Sequence, residues 1–171
     1  MTSSTRWQLG DVIAWIQTGT EQDAKTDSDI FLTFYDDANT AIAWLHAFER
    51  GDLGGFEEGE LNCGYLGNLN KKAWLNSLKK SGTRLGIRIE NVSDDHPEWF
   101  LDYVSLDFRV GPVADNPTAR TWTVRDWIIP GAPEVIFPMD PLAPVEVAKF
   151  ADIGFEKELE IECGAGRNDV V

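Results

Sequence analysis

The sequence predicts an antiparallel β-sandwich. Short runs rich in branched and aromatic residues recur through the first 128 residues. Several of them alternate with the period of two that a strand requires. No long stretch of helical spacing separates them, which favours packed antiparallel sheets over an alternating α/β arrangement.

Taken in order, "DVIAWIQT" at 11–18 is the first such run, and "DIFLTFY" at 29–35 the second. In the latter Ile30, Leu32 and Phe34 fall on one face and Phe31, Thr33 and Tyr35 on the other. "AIAWLHAF" at 41–48 follows, with Trp44 expected in the core or at a sheet edge. "RLGIRIE" at 84–90 points Leu85, Ile87 and Ile89 one way and Arg84, Arg88 and Glu90 the other, a strand with one wet face. "DYVSLDF" and "RTWTVRDWI" complete the set. One segment departs from this rhythm. In "NLNKKAWLNSLKKSG", 68–82, the spacing of Trp74, Leu75 and Leu78 predicts a short inserted helix, stopped at Gly82. "PGAPEVIFPMDPLAP" then holds five prolines, which suits an extended strap better than a helix or inner strand. The division expected is a sandwich over 8–129 and a proline-rich C-terminal extension over 130–171. That extension is read as a strap or partly disordered tail, with "ELEIEC" as a candidate strand.

The chain has 171 residues, 43% of them hydrophobic, with seven tryptophans, which is too apolar for disorder and long enough for a real core. A net charge of −14 argues against nucleic acid as a partner, because phosphate neutralisation needs a basic surface. Cys63 and Cys163 lack C-x-x-C spacing; they are expected as reduced, partly buried thiols, with a disulfide as the alternative. "MTSSTRWQLG" has no apolar core of a signal peptide, and no apolar run is long enough to span a bilayer. A soluble, cytoplasmic protein is expected, with non-classical export as the alternative.

The stretch 18–28 concentrates charge: Glu21, Asp23 and Asp27, with Asp29 at the strand edge, stand against Lys25 alone. Such a loop is either a solvated surface loop or the seat of a cation. Catalytic patterns are missing. His46 and His96 form no H-E-x-x-H, and there is no G-x-S-x-G, P-loop or G-x-G-x-x-G. A hydrolase using two carboxylates stays open as a minor alternative.

Three stretches in order carry a resemblance. "VIAWIQTGTEQDAKTDSDIFLTFYDD", "FERGDLGGFEEGEL" and "LGIRIENVSDDHPEWFLDYVSL" resemble the opening, the Phe-Glu-Arg-Gly stretch and the Pro-x-Trp-Phe-Leu-Asp hallmark of PLAT domains (polycystin–lipoxygenase–alpha-toxin), with "TWTVRDWI" similar to their closing strand. Lys25 stands where the family has glycine, Glu90-Asn91 where it has Asp-Asn, and Asp126 where a basic residue is usual. The resemblance implies two four-stranded sheets and a non-catalytic binding module that docks to a membrane or a protein partner, often with Ca²⁺ in loops at one end. The loops 18–29 and 90–98 would then lie together. Their implied Ca²⁺ donors are Asp27 and Asn91 first, then Asp29 and Asp94, with Asp23, Glu90 and the carbonyls of Thr18 and Gly19. The hallmark Trp99 is expected in the core, beneath these loops. Lys71, Lys72, Trp74, Lys79 and Lys80 of the inserted helix offer contact to an anionic membrane surface or an acidic partner. The rival reading is a metal-independent protein-interaction component of a larger assembly, such as a toxin or secretion system.

Overall fold

A computed structural model describes residues 3–7, 11–26, 28–47, 56–68, 82–90, 98–108, 120–141, 159–163 and 167–170. Regular structure there is entirely strand: β1 (Ser3–Trp7), β2 (Asp11–Thr18), β3 (Asp29–Tyr35), β4 (Ala41–Ala47), β5 (Leu61–Asn68), β6 (Arg84–Glu90), β7 (Trp99–Phe108), β8 (Arg120–Ile128), β9 (Val135–Pro138), β10 (Leu159–Cys163) and β11 (Arg167–Val170). One four-stranded sheet runs β5-β2-β7-β8; a second runs β4-β3-β6-β9 and is widened by β11 at the β4 edge. Every pairing is antiparallel. The expected pair of four-stranded sheets is therefore present. β1 and β10 form a separate two-stranded ribbon whose β10 lies against β5.

Alternation decides which residues enter the core between the sheets. Ile30, Leu32 and Phe34 of β3 are buried there, as are Leu85, Ile87 and Ile89 of β6, and Val12, Ala14 and Ile16 of β2. Trp99 and Trp122 are fully buried. The Trp122 indole N–H donates to the Thr83 carbonyl at 3.0 Å, and its ring meets Phe34 edge-on, so its polar atom is satisfied inside an apolar layer. Trp44 instead lies half-buried on the outer face of its sheet, against His46.

The proline-rich stretch closes one side of the sandwich. Gly131 turns the chain at φ 77, and its N–H donates to the Ile89 carbonyl. β9 then pairs with β6, placing Val135 opposite Ile87 and Pro138 opposite Arg84. Pro138 ends that short strand in the ladder's last pair, where a missing N–H costs least. Met139 drops into the core, and Asp140 fastens to the edge of β8. One strap thereby bridges both sheets.

One sequence expectation is corrected, and another falls elsewhere. Cys63 is disulfide-bonded rather than a reduced thiol. Two cysteines a hundred residues apart give no local signal of pairing; the topology supplies it, since β10 brings its backbone against β5. Residues 69–81, and with them the expected helix and its lysines, lie outside the described residues.

Candidate functional site at the loop end of the sandwich

The end of β2 is fixed by hydrogen bonds before any ligand is considered. Thr18 is buried; its N–H donates to the Glu60 carbonyl, and its hydroxyl oxygen accepts the Trp99 indole N–H at 3.0 Å. Gly19 donates to the Phe100 carbonyl at 2.9 Å and accepts from the Gly59 N–H. A side chain at Gly19 would collide with the Phe100 ring, 2.4 Å from where its Cβ would stand. Beneath this, Phe56 packs edge-on to Trp99 with centroids 5.5 Å apart. The Gln17 amide nitrogen donates toward the carbonyls of Thr18, Gly59 and Glu60 at 2.9–3.3 Å.

The loop after Gly19 is stitched to its neighbours. Ala24 donates back to Glu21, and the Phe100 N–H donates to the Ala24 carbonyl. Asp23 takes a positive φ of 62, and its N–H donates to Glu58 Oε1. Lys25 meets Glu57 at 3.8 Å, an exposed pair worth little by itself. Part of the loop's negative charge therefore faces further carboxylates from the 57–60 turn. Exposed Glu21, Asp23, Glu57, Glu58, Glu90 and Glu98 make this end acidic.

The eight expected metal donors divide sharply. Thr18 and Gly19 are held by the bonds above, each carbonyl already accepting one N–H. Asp23 is exposed on the loop. Asp29 and Glu90 stand directly opposite each other across β3 and β6, and Glu90 also pairs with Arg88. Two carboxylates facing each other repel unless a cation lies beside them, and the Arg88 guanidinium is such a cation for Glu90. Asp27, Asn91 and Asp94 lie outside the described residues. Among the described residues, no group of three or more His, Cys, Asp or Glu side chains is placed to share one metal.

An apolar feature at the same end escaped the sequence reading. β7 and β8 pair Phe100 with Trp127, whose rings meet edge-on at 5.3 Å. Trp127 is 37% exposed and Ile129 46%, while Ile128 between them is buried. The signal was legible in "WII": on an alternating strand three consecutive apolar residues cannot all face inward. A register shift between Leu101 and Tyr103, with Arg125 at φ 47, bends β8 just before this point. Arg125 donates from Nε to Asp102 across the bend.

Solved structures share this architecture. Coral 8R-lipoxygenase, described as activated by calcium through a C2-like domain, aligns at a TM-score of 0.53 over 81% of this chain. The fold is PLAT-like. A lipoxygenase variant carrying a 413–417 deletion, in complex with arachidonate, aligns equally at 0.53. Both alignments have 11% identity, so the PLAT-like likeness is one of fold. The chain spans 19% of the length of either lipoxygenase. A further structure of that deletion variant gives 0.53 at 13% identity. No family model matches the sequence, and no curated protein matches it either.

Proposed function

We propose that this PLAT-like sandwich is a non-catalytic docking module that seats its acidic loop end on a phospholipid surface with the help of Ca²⁺. The observation that carries the reading is the exposed Trp127–Ile129 pair, braced by Phe100, at the same end as the acidic loops. Tryptophan is suited to a membrane interface, being apolar in its body and polar at one edge. Carboxylates around it would repel an anionic surface, and the net charge of −14 adds to that. A divalent cation would remove the conflict. Asp29 and Glu90 would hold it, joined by Asp27, Asn91 and Asp94; its contribution would be charge neutralisation. The calcium activation described for coral 8R-lipoxygenase agrees with this choice of cation. The same charge favours the second reading, a calcium-independent protein partner with a basic surface.

Co-sedimentation with phosphatidylcholine–phosphatidylserine vesicles tests the proposal, with 1 mM calcium or with EDTA. Pelleting that requires calcium and falls at least about fivefold in Trp127→Ala supports lipid docking, since losing one buried aromatic costs roughly 1–3 kcal/mol. Equal recovery in the supernatant under both conditions would return the protein-partner reading to first place.

A further inference from the structure

We propose that the C-terminal strand β11 is a removable cover on the edge of β4, and that the disulfide at Cys63 is its lock. Opened by a dithiol reductant, the lock releases β11, and β4 takes an extended apolar segment of another protein as its new edge strand. This device is independent of the docking reading and uses none of the loop-end residues.

The locking bond follows from the cysteine count. The chain has two cysteines and Cys63 is disulfide-bonded, so its partner is Cys163. Cys163 is the last residue of β10, and Gly164-Ala165-Gly166 joins it to β11. β10 and β11 both lie against β5, while β11 pairs with β4 on the other sheet. β4 and β5 touch, so one covalent bond holds the tail over both edges on that side of the sandwich.

The two ends of the second sheet are built differently. β9 is four residues long and bracketed by Pro133 and Pro138; brevity and proline both keep a foreign strand off an edge. β4, "AIAWLHA", is seven residues long and has no Asp, Glu, Lys, Arg, Pro or Gly. Uncovered, it is an unprotected template for strand addition. β11 covers it poorly. Its four residues, "RNDV", pair with Ala43, Trp44, Leu45 and His46 alone. Asn168 stands opposite the core residue Leu45, and Asp169 opposite Trp44. Asn and Asp are weak strand formers. Such a strand is held by its tether. With the bond closed, residues 164–166 are all that separate β11 from a fixed point on β5. With it open, β10 is left with its pairing to β1, and a two-stranded ribbon is marginal alone. The nearest upstream hold on the two sheets is then Asp140. Lengthening the connection that far lowers the local concentration of β11 on the order of tenfold. A partner strand with a branched apolar residue opposite Leu45 then competes on better terms.

Opening is thiol–disulfide exchange. One thiolate of the dithiol attacks a sulfur of the bond and expels the other cysteine as a thiolate. The reductant's second thiol then resolves the mixed disulfide. The reductant leaves as a cyclic disulfide, and both cysteines end as thiols.

The test is hydrogen exchange on the full chain before and after dithiothreitol, with thiol titration to verify opening, and on Cys163→Ser, which lacks the bond without a reductant. Amides of residues 43–46 that face β11 should exchange at least about tenfold faster in both unlocked forms, with β6 and β7 unchanged. A labelled peptide of residues 164–171 carrying Asn168→Val should bind both unlocked forms, restore protection at 43–46, and ignore the oxidised chain. Equal protection at 43–46 with the bond open or closed would overturn the proposal. Acceleration spread evenly over all strands would also overturn it, since the bond would then be a staple of the whole fold. So would a peptide that binds no form, or binds the oxidised chain equally well.

Discussion

His46, on the outer face of the sheet that holds β4, shows how one side chain ties stability to pH. It is packed against Phe31 and Trp44, and that burial lowers its pKa from the ordinary histidine value. The Arg88 guanidinium lowers it further, and Glu90 opposes the shift. The unfolded chain therefore binds this proton more readily than the folded one. The resulting stability is complete above the unfolded pKa of about 6.5 and is lost as pH falls below it, toward the depressed folded value. Urea midpoints measured at pH 7.5 and 5.5 should fall on acidification, and fall less in His46→Phe. An equal drop in the variant would assign the effect to other groups. Gly19 and Gly86 make a related point, because each is kept bare by a neighbour's side chain, Phe100 and Glu134 respectively. The sequence shows the glycines but not what lies above them.

At the scale of elements, strands with strong alternation were legible and the quieter ones were not. β3 and β6 face as their patterns require, since Ile30, Leu32, Phe34 and Leu85, Ile87, Ile89 leave no second way to bury a stripe. β5 was missed. Its "LNCGYLGN" has two glycines and two asparagines, and only pairing with β2 makes it a strand. β1 and β11 are short and polar, and each forms against a partner more than a hundred residues away, beyond any local signal. The site was half legible for the same reason. Asp29 and Glu90 could be placed together by topology, but Thr18 could not be known to spend its hydroxyl on Trp99. The clasp after β9 is the element most open to measurement. Asp140 accepts from the Thr123 N–H at 2.9 Å and its hydroxyl at 2.6 Å, while its own N–H donates to the Thr121 carbonyl at 2.8 Å. Asp140→Ala should cost about 1–2 kcal/mol, as charge-assisted bonds exceed neutral ones. It should also speed hydrogen exchange at the Thr123 amide. Unchanged exchange there would mean the clasp does not hold the β8 edge.

For the whole molecule, the question is how far the sandwich depends on residues beyond the region that resembles PLAT domains. The strap raises the issue most directly. β9 completes the second four-stranded sheet, Met139 fills the core, and Asp140 reaches the opposite sheet. Removing these opens one side of the core, uncovering Leu85 and Ile87 of β6 along the ladder that β9 had made. Losing a buried methionine alone costs about 2–5 kcal/mol, against a total stability on the order of 5–15 kcal/mol for a domain. A chain ending at residue 129 should therefore lose its cooperative thermal transition and bind a hydrophobic dye, although it retains nearly all of the resemblance. A sharp melt with dispersed amide resonances in that truncated chain would show that the strap is ornament to the sandwich. Loss of the transition would make the extension beyond residue 129, with the strap, β10, β11 and the disulfide partner it carries, part of the fold itself.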